Sequence, residues 1–248
     1  IENLEKLKLS FSNNSIEKFD YLVVSDGVFS KTSSIILGKN NSPQFSNSIA
    51  LRGNIRNIGN NDVSLYLGSN FHFVIYPVNQ NNEYNFISIV RKKLNKNQIL
   101  DQNLFSSGEF LKSLSNEVYR KTSFDLNGKL ENIKSFPVYV SKKFETFKKK
   151  NIYFVGDALF AFPPSFAQGA SQSIEAAKDL YEEINNNTNS YYEKRIVKIK
   201  EVNRRSKLNY FAFHLSNPVL ILIRNLILKI LVKNNKFLDV YLGKIYRD

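Results

Sequence analysis

The sequence predicts an α/β chain, α+β overall, in which two nucleotide-fold segments enclose an inserted antiparallel sheet and helices follow at the C-terminal end. Three observations predict it. The apolar run Tyr21-Leu22-Val23-Val24 stops at Asp26-Gly27, as a buried strand stops at a turn. A second such run, Asn151-Ile152-Tyr153-Phe154-Val155, meets Gly156-Asp157 and then a helical pattern. Between them, from about 44 to 140, lie short alternating segments separated by polar turns, the pattern of an antiparallel sheet.

Taken in order, residues 3–12 and 17–25 read as two strands around the turn Asn13-Asn14-Ser15. The inserted sheet draws on 49–55, 63–67, 71–78, 84–91 and 133–139. A helix over 108–122 interrupts it, because Phe110, Leu111, Leu114 and Val118 recur at helical spacing. A helix is expected from about 168 to 185, an Asn-rich loop over 185–189, and a charged helix over 190–210. The run 218–232 has 15 residues broken by Arg224 and Lys229, short of the ~20 that cross a bilayer. It is expected to pack on the body of the protein, with peripheral membrane contact as the alternative.

Composition excludes several chemistries. The 248 residues, 42% hydrophobic, suffice for a sizeable core. With no cysteine there is no disulfide scaffold, zinc-thiolate site or thiol nucleophile, and two histidines make a metal site unexpected. The 35 basic and 22 acidic residues give a net charge of +13, but the basic residues are spread. Lys148-Lys149-Lys150 and Arg204-Arg205 accompany no nucleic-acid motif, so a solvated basic surface is the reading and no nucleic-acid partner is expected. His72 and His214 lie in no acid–base constellation, and Phe71, Phe73, Tyr84 and Phe86 read as core. No signal peptide opens the chain, so a cytoplasmic location is expected, peripheral to a membrane if 218–232 docks there.

The residues that carry chemistry cluster after the second strand. Asp157 can accept hydrogen bonds from a sugar-like hydroxyl, while Gly156 lets a ligand reach the backbone. Gly169-Ala170-Ser171 opens a helix whose unpaired amides and positive dipole end favour negative charge, by roughly 0.3–1 kcal/mol when exposed. Strand, glycine-containing loop and helix together are the grammar of a nucleotide site.

The stretch Gly156-Asp157-Ala158, through Pro163-Pro164, to Gln168-Gly169-Ala170-Ser171 resembles the second FAD motif of the para-hydroxybenzoate hydroxylase-like and salicylate hydroxylase-like flavoprotein monooxygenases, GDAAH, PP, GQGAN. The resemblance implies that Asp157 contacts the FAD ribitol. It places Pro163 and Pro164 beside the isoalloxazine, and turns the Gly169-Ala170 amides to the flavin pyrimidine. Val23-Val24-Ser25-Asp26-Gly27 looks like the family's Asp-Gly motif, which gives Asp26 and Gly27 a part in holding FAD. Arg52-Gly53, Tyr76-Pro77 and the arginines of 192–205 are similar to later family landmarks in the same order, and Arg52 inherits a place at the cofactor. Departures are Phe160 for the usual His, Ser33 for Arg, Phe166-Ala167 for smaller residues, and Ala176 for Asp.

The family's GxGxxG loop does not occur in these residues, and the start of the chain is read as a cut with ~100–150 residues upstream, enough for a βαβ nucleotide unit. The implied architecture is an FAD-binding Rossmann-like domain over 1–43 and 141–189, whose N-terminal βαβ unit lies outside the chain. A substrate domain over 44–140 and a helical region over 190–248 complete it. The implied activity is an oxidoreductase, an NAD(P)H- and O2-dependent monooxygenase hydroxylating a small aromatic or quinone-precursor substrate through a flavin hydroperoxide. FAD is the cofactor and no catalytic side chain is named. The alternative is a non-catalytic relative acting as a basic membrane-associated binding protein.

Overall fold

The computed structural model describes residues 7–37, 42–59, 61–79, 82–120, 130–144 and 151–243. Residues 3–6 of the first expected strand, 121–122 of the expected helix, and the Lys148-Lys149-Lys150 cluster lie outside the described residues. The chain divides into two compact units, Ile1–Gln44 with Tyr139–Ser206, and Phe45–Val138 with Lys207–Asp248.

In the first unit, β1 (Leu7–Ser10) and β2 (Ile16–Phe19) form an antiparallel hairpin. Its turn bends through Asn14 at φ 64°, and the Asn13 side chain accepts the Ser15 amide at 3.0 Å. The single strand expected over 17–25 is instead two. The chain breaks at Asp20-Tyr21, so that β2 pairs locally while β3 (Leu22–Val24) pairs in parallel with β9 (Ile152–Phe154), Leu22 opposite Ile152 and Val24 opposite Phe154. One continuous strand could not serve both partners. Helix α1 (Lys31–Leu37) has no apolar stripe to announce it; the Ser30 hydroxyl caps it by accepting the Ser33 amide at 2.8 Å. Ile36 and Leu37 pack on Val24, Ile152, Phe154 and Ala158.

Helices α4 (Gly169–Asn186) and α5 (Tyr191–Phe213) follow β9. Tyrosine hydroxyls from α5 satisfy backbone groups of β9. Tyr191 donates to the Phe154 carbonyl at 2.7 Å, and Tyr192 donates to the Ile152 carbonyl at 3.1 Å while accepting the Phe154 amide at 3.2 Å. Burial pushes both phenols well above their ordinary range, aided at Tyr191 by Tyr192 and at Tyr192 by Tyr153, so both remain protonated donors. The turn between the helices uses Asn187 and Asn189 at φ 50° and 54°. Glu183 organises it, accepting the Thr188 hydroxyl at 2.6 Å and the Ser190 and Tyr191 amides at 2.9 and 3.2 Å, a carboxylate at the positive end of α5.

The second unit is built on a five-stranded sheet in the order β5-β6-β7-β4-β8, from β4 (Gln44–Arg56), β5 (Ser64–Gly68), β6 (Phe71–Pro77), β7 (Glu83–Arg91) and β8 (Leu130–Val140). The β4–β7, β5–β6 and β6–β7 pairs are antiparallel, as the alternation implies. Ile49, Leu51 and Ile55 of β4, Phe71, Phe73 and Ile75 of β6, and Tyr84, Phe86 and Val90 of β7 are buried in one core. Each such side chain contributes about 1.5–3 kcal/mol on burial. After the short α2 (Lys96–Leu100), helix α3 (Gly108–Tyr119) joins this core with Phe110, Leu114 and Val118 and is capped by the Ser107 hydroxyl. The four sheet aromatics are therefore core, as their spacing predicts.

Helix α6 (Pro218–Leu231) departs from expectation. Its start is regular, Pro218 in the first turn and the Asn217 side chain accepting the Val219 and Leu220 amides, yet none of its residues is buried. The expectation that this run packs on the body of the protein is met only along Ile221, Arg224 and Leu231, which are half-buried. A short α7 (Asn235–Leu238) and one π-helical turn, Asp239–Gly243, complete the described chain. Helix α5 runs through the 206/207 boundary between the two units.

Candidate functional site

Because β3 and β9 are parallel neighbours, the two turns singled out in the sequence emerge side by side from the carboxyl ends of adjacent strands. The Val155 amide still bonds the Val24 carbonyl at 2.9 Å, and from there one chain turns at Asp26-Gly27 and the other at Gly156-Asp157. The crevice outside parallel strand ends is where open α/β sheets bind ligands. Gly27 has φ 83°. The carboxylate of Asp26 is partly desolvated, which opposes its charge, but the Ser30 hydroxyl and the Thr32 amide, the latter at 3.4 Å, outweigh this and hold it below the usual carboxylate range.

Gly156 sits at φ 64°, and a Cβ there would stand 3.1 Å from the Ser173 hydroxyl on α4. The residue is thus demanded by backbone conformation and by close packing of loop on helix. Gly156–Ala158 forms a single 3-10 turn in which Asp157 is exposed. The surrounding protein still desolvates the carboxyl in part and pushes it above the ordinary range. The loop that follows is pinned to the end of β8: the Ala161 amide donates to the Ser141 hydroxyl and the Ser141 amide to the Ala161 carbonyl, both at 2.9 Å. Pro163 then leads Pro164 into a second 3-10 turn, Pro164–Phe166.

That turn ends on Ala167 in the left-handed region, φ 52° and ψ 31°, where an alanine is strained. Helix α4 begins next, with no side-chain cap on its first turn, whereas α3 and α6 each carry one. The amides of Gly169, Ala170 and Ser171 therefore open the helix free of a side-chain acceptor, with Ala170 exposed. A Cβ built on Gly169 meets nothing within 4 Å. A small cavity of about 10 Å³, room for one water, lies between Gly156, Phe160, Gly169, Gln172, Ser173 and Arg195.

Arg195 holds this arrangement from α5. Its side chain is 2% exposed, and its guanidinium donates to Asp179 at 2.7 Å and to the Gln172 side chain at 2.6 Å, with Glu175 at 3.8 Å. All three partners lie on α4, and Gln172 is one residue beyond the open amides.

No family model and no curated protein matches the chain. Solved structures do. HpxO of Klebsiella pneumoniae complexed with FAD superposes with a TM-score of 0.71 at 15% identity, over 89% of this chain and 60% of that one. A salicylate hydroxylase substrate complex gives 0.69 at 18%, over 88% and 61%. The 2,6-dihydroxypyridine-3-hydroxylase from Arthrobacter nicotinovorans gives 0.71 at 14%, over 88% and 64%.

The fold is that of the flavoprotein monooxygenases. The chain spans about 60% of the length of those structures.

Within this flavoprotein monooxygenase fold, Asp26, Gly27, Gly156, Asp157, Pro163, Pro164, Gly169, Ala170 and Ser171 belong to one compact unit. Arg52 belongs to the other: it is exposed on β4, its guanidinium 5.9 Å from the Phe136 ring centre. Three departures from the family motif, Phe160, Ser33 and Ala176, are buried, whereas Ala167 is exposed. Phe160 is 3% exposed with its ring 5.0 Å from that of Phe162, Ser33 is buried in the first turn of α1, and Ala176 is buried with Val155 and Leu180. Sequence reading missed Tyr191, Glu183 and Gln172, although the Tyr191-Tyr192 pair at a helix start was a visible signal.

Proposed function

We propose that this chain carries the flavin-side wall of an FAD-dependent monooxygenase that hydroxylates a small aromatic or quinone-precursor substrate with NAD(P)H and O2. The observation that carries the reading is the convergence of Asp26-Gly27 and Gly156-Asp157 at neighbouring parallel strand ends, beside the uncapped start of α4. The residues suit the cofactor: nothing crowds the Cβ position of Gly169, which leaves the backbone open to a ligand, and the open amides suit an electron-rich pyrimidine.

In this reading the flavin, when bound, supplies the redox chemistry that draws hydride from NAD(P)H and directs O2 to the aromatic ring. Asp157 accepts hydrogen bonds from the ribitol, and Asp26 steadies the neighbouring turn. Pro163 and Pro164 present a rigid apolar edge that keeps water from the ring face. The amides of Gly169 and Ala170 stabilise negative charge on the pyrimidine edge. No side-chain nucleophile takes part.

The protein expressed from its complete coding sequence is expected to purify yellow and to oxidise NAD(P)H faster when a phenolic compound is added. A colourless protein that takes up no FAD on reconstitution would overturn the reading.

A further inference from the structure

Helix α6 turns its most apolar face away from its own unit. At 100° per residue, Val219, Leu220, Ile223, Leu226, Ile227 and Ile230 share one face, and they are 45% to 68% exposed. Arg224, at the edge of that face beyond Leu220, donates to the Ala212 carbonyl at 3.1 Å, fastening the helix to the end of α5. Lys229 borders the apolar face on its other edge, Asn225 lies on the far side, and Lys233 and Lys236 follow. From 207 to 243 the sequence holds Lys207, Arg224, Lys229, Lys233 and Lys236 against the single carboxylate of Asp239.

We propose that this face is a docking surface for an anionic lipid bilayer, on which α6 lies in the interface plane. The inference goes beyond the proposed chemistry and stands independently of it. Three features select a bilayer. The face is purely aliphatic, without the aromatic anchors that protein interfaces favour. Its flanks carry basic charge alone, which complements anionic headgroups and lets lysine stems lie along the acyl boundary. A second copy seated on the same face would set one row of Lys229 and Lys233 against another, with Asp239 the one carboxylate to offset them. The 14-residue helix is about 21 Å long, against a hydrocarbon core of about 30 Å, so it lies on the membrane and does not cross it. No helix among the described residues is long and apolar enough to span.

The test is sedimentation of the full-length protein with vesicles of phosphatidylcholine containing phosphatidylserine, against phosphatidylcholine alone, at low and high salt. Binding is expected on the anionic vesicles and to weaken with salt. The variant Ile223→Ser/Ile227→Ser/Ile230→Ser removes no buried contact, so its helix content and flavin content should match the parent, while vesicle binding falls at least ~10-fold. Lys229→Gln/Lys233→Gln should weaken binding by about 25-fold, near fivefold for each lysine, and reduce its salt dependence. Equal vesicle binding by parent and triple variant would overturn the proposal. So would failure of the parent to bind, whether it remains monomeric or forms a dimer that the triple variant dissolves, the latter identifying a second copy as the occupant.

Discussion

Replacing Arg195 with methionine is expected to lower stability by about 3–5 kcal/mol and the thermal midpoint by roughly 10 °C. The guanidinium is buried on α5 and is the partner of Asp179, whose side chain is 18% exposed, and of the Gln172 side chain. Removing it strands a carboxylate that is largely out of water and an amide oxygen that has lost its donor. The cost of such a change arises more from the orphaned partner than from the lost attraction. Adding Asp179→Leu to Arg195→Met should therefore restore part of the loss, as thermal unfolding of both variants will show. Because Gln172 stands at the first turn of α4, Arg195→Met should also loosen the open helix end and weaken flavin retention.

The second large effect is acid sensitivity of the sheet unit. His72 and His214 are 4% and 2% exposed, and His72 Nδ1 lies 3.0 Å from His214 Nε2, so one neutral ring donates to the other. Burial, and then the facing His214, holds His72 down to about 3; burial, and then the Arg91 guanidinium, holds His214 at about 4. Arg91 also sits over the Tyr210 ring, whose hydroxyl shares a hydrogen bond with Ser48 at 2.7 Å. Below the ordinary histidine value near 6.5 the unfolded chain takes up protons that the folded chain refuses. Stability present above that value is thus lost as pH falls toward about 4, at roughly 1.4 kcal/mol per pH unit for each histidine. Denaturant unfolding between pH 7 and 4 should show this slope, and the double variant His72→Leu/His214→Leu should flatten it. An unchanged slope would show that other groups carry the acid response.

The pattern of what the sequence disclosed follows from what each signal depends on. Alternation in 44–140 reports burial on one sheet face, so the five strands and the Phe71, Phe73, Tyr84 and Phe86 core were legible. Gly156 was legible because its positive φ and the close approach of Ser173 restrict which residue fits there, whereas open space surrounds Gly169 and only the resemblance singled out Gly169-Ala170. The break at Asp20-Tyr21 was not, because it arises from a distant partner, β9, and local propensity is indifferent to it. Helix α1, held by Ser30 and a few apolar contacts, has too weak a pattern to be read. The buried roles of Arg195, Glu183 and Gln172 were hidden among charged and polar letters that elsewhere mark a solvated face. For α6, hydropathy correctly announced a helix but wrongly implied burial, since an apolar pattern does not say which surface covers it.

The central claim, that the uncapped start of α4 beside the two strand ends is a wall of a flavin site, is tested most directly by an FAD titration of Gly169→Val in the full-length protein. A Cβ at Gly169 meets no protein atom within 4 Å, so a small side chain is expected to cost the fold little while occupying the space over the open amides. Gly108→Val, also at the first residue of a helix with open space around it, is the matched control in α3. The account predicts that Gly169→Val keeps the parent's thermal midpoint but binds FAD at least ~100-fold more weakly, a loss of about 2.7 kcal/mol, while Gly108→Val binds like the parent. FAD binding by Gly169→Val as tight as the parent's would contradict it.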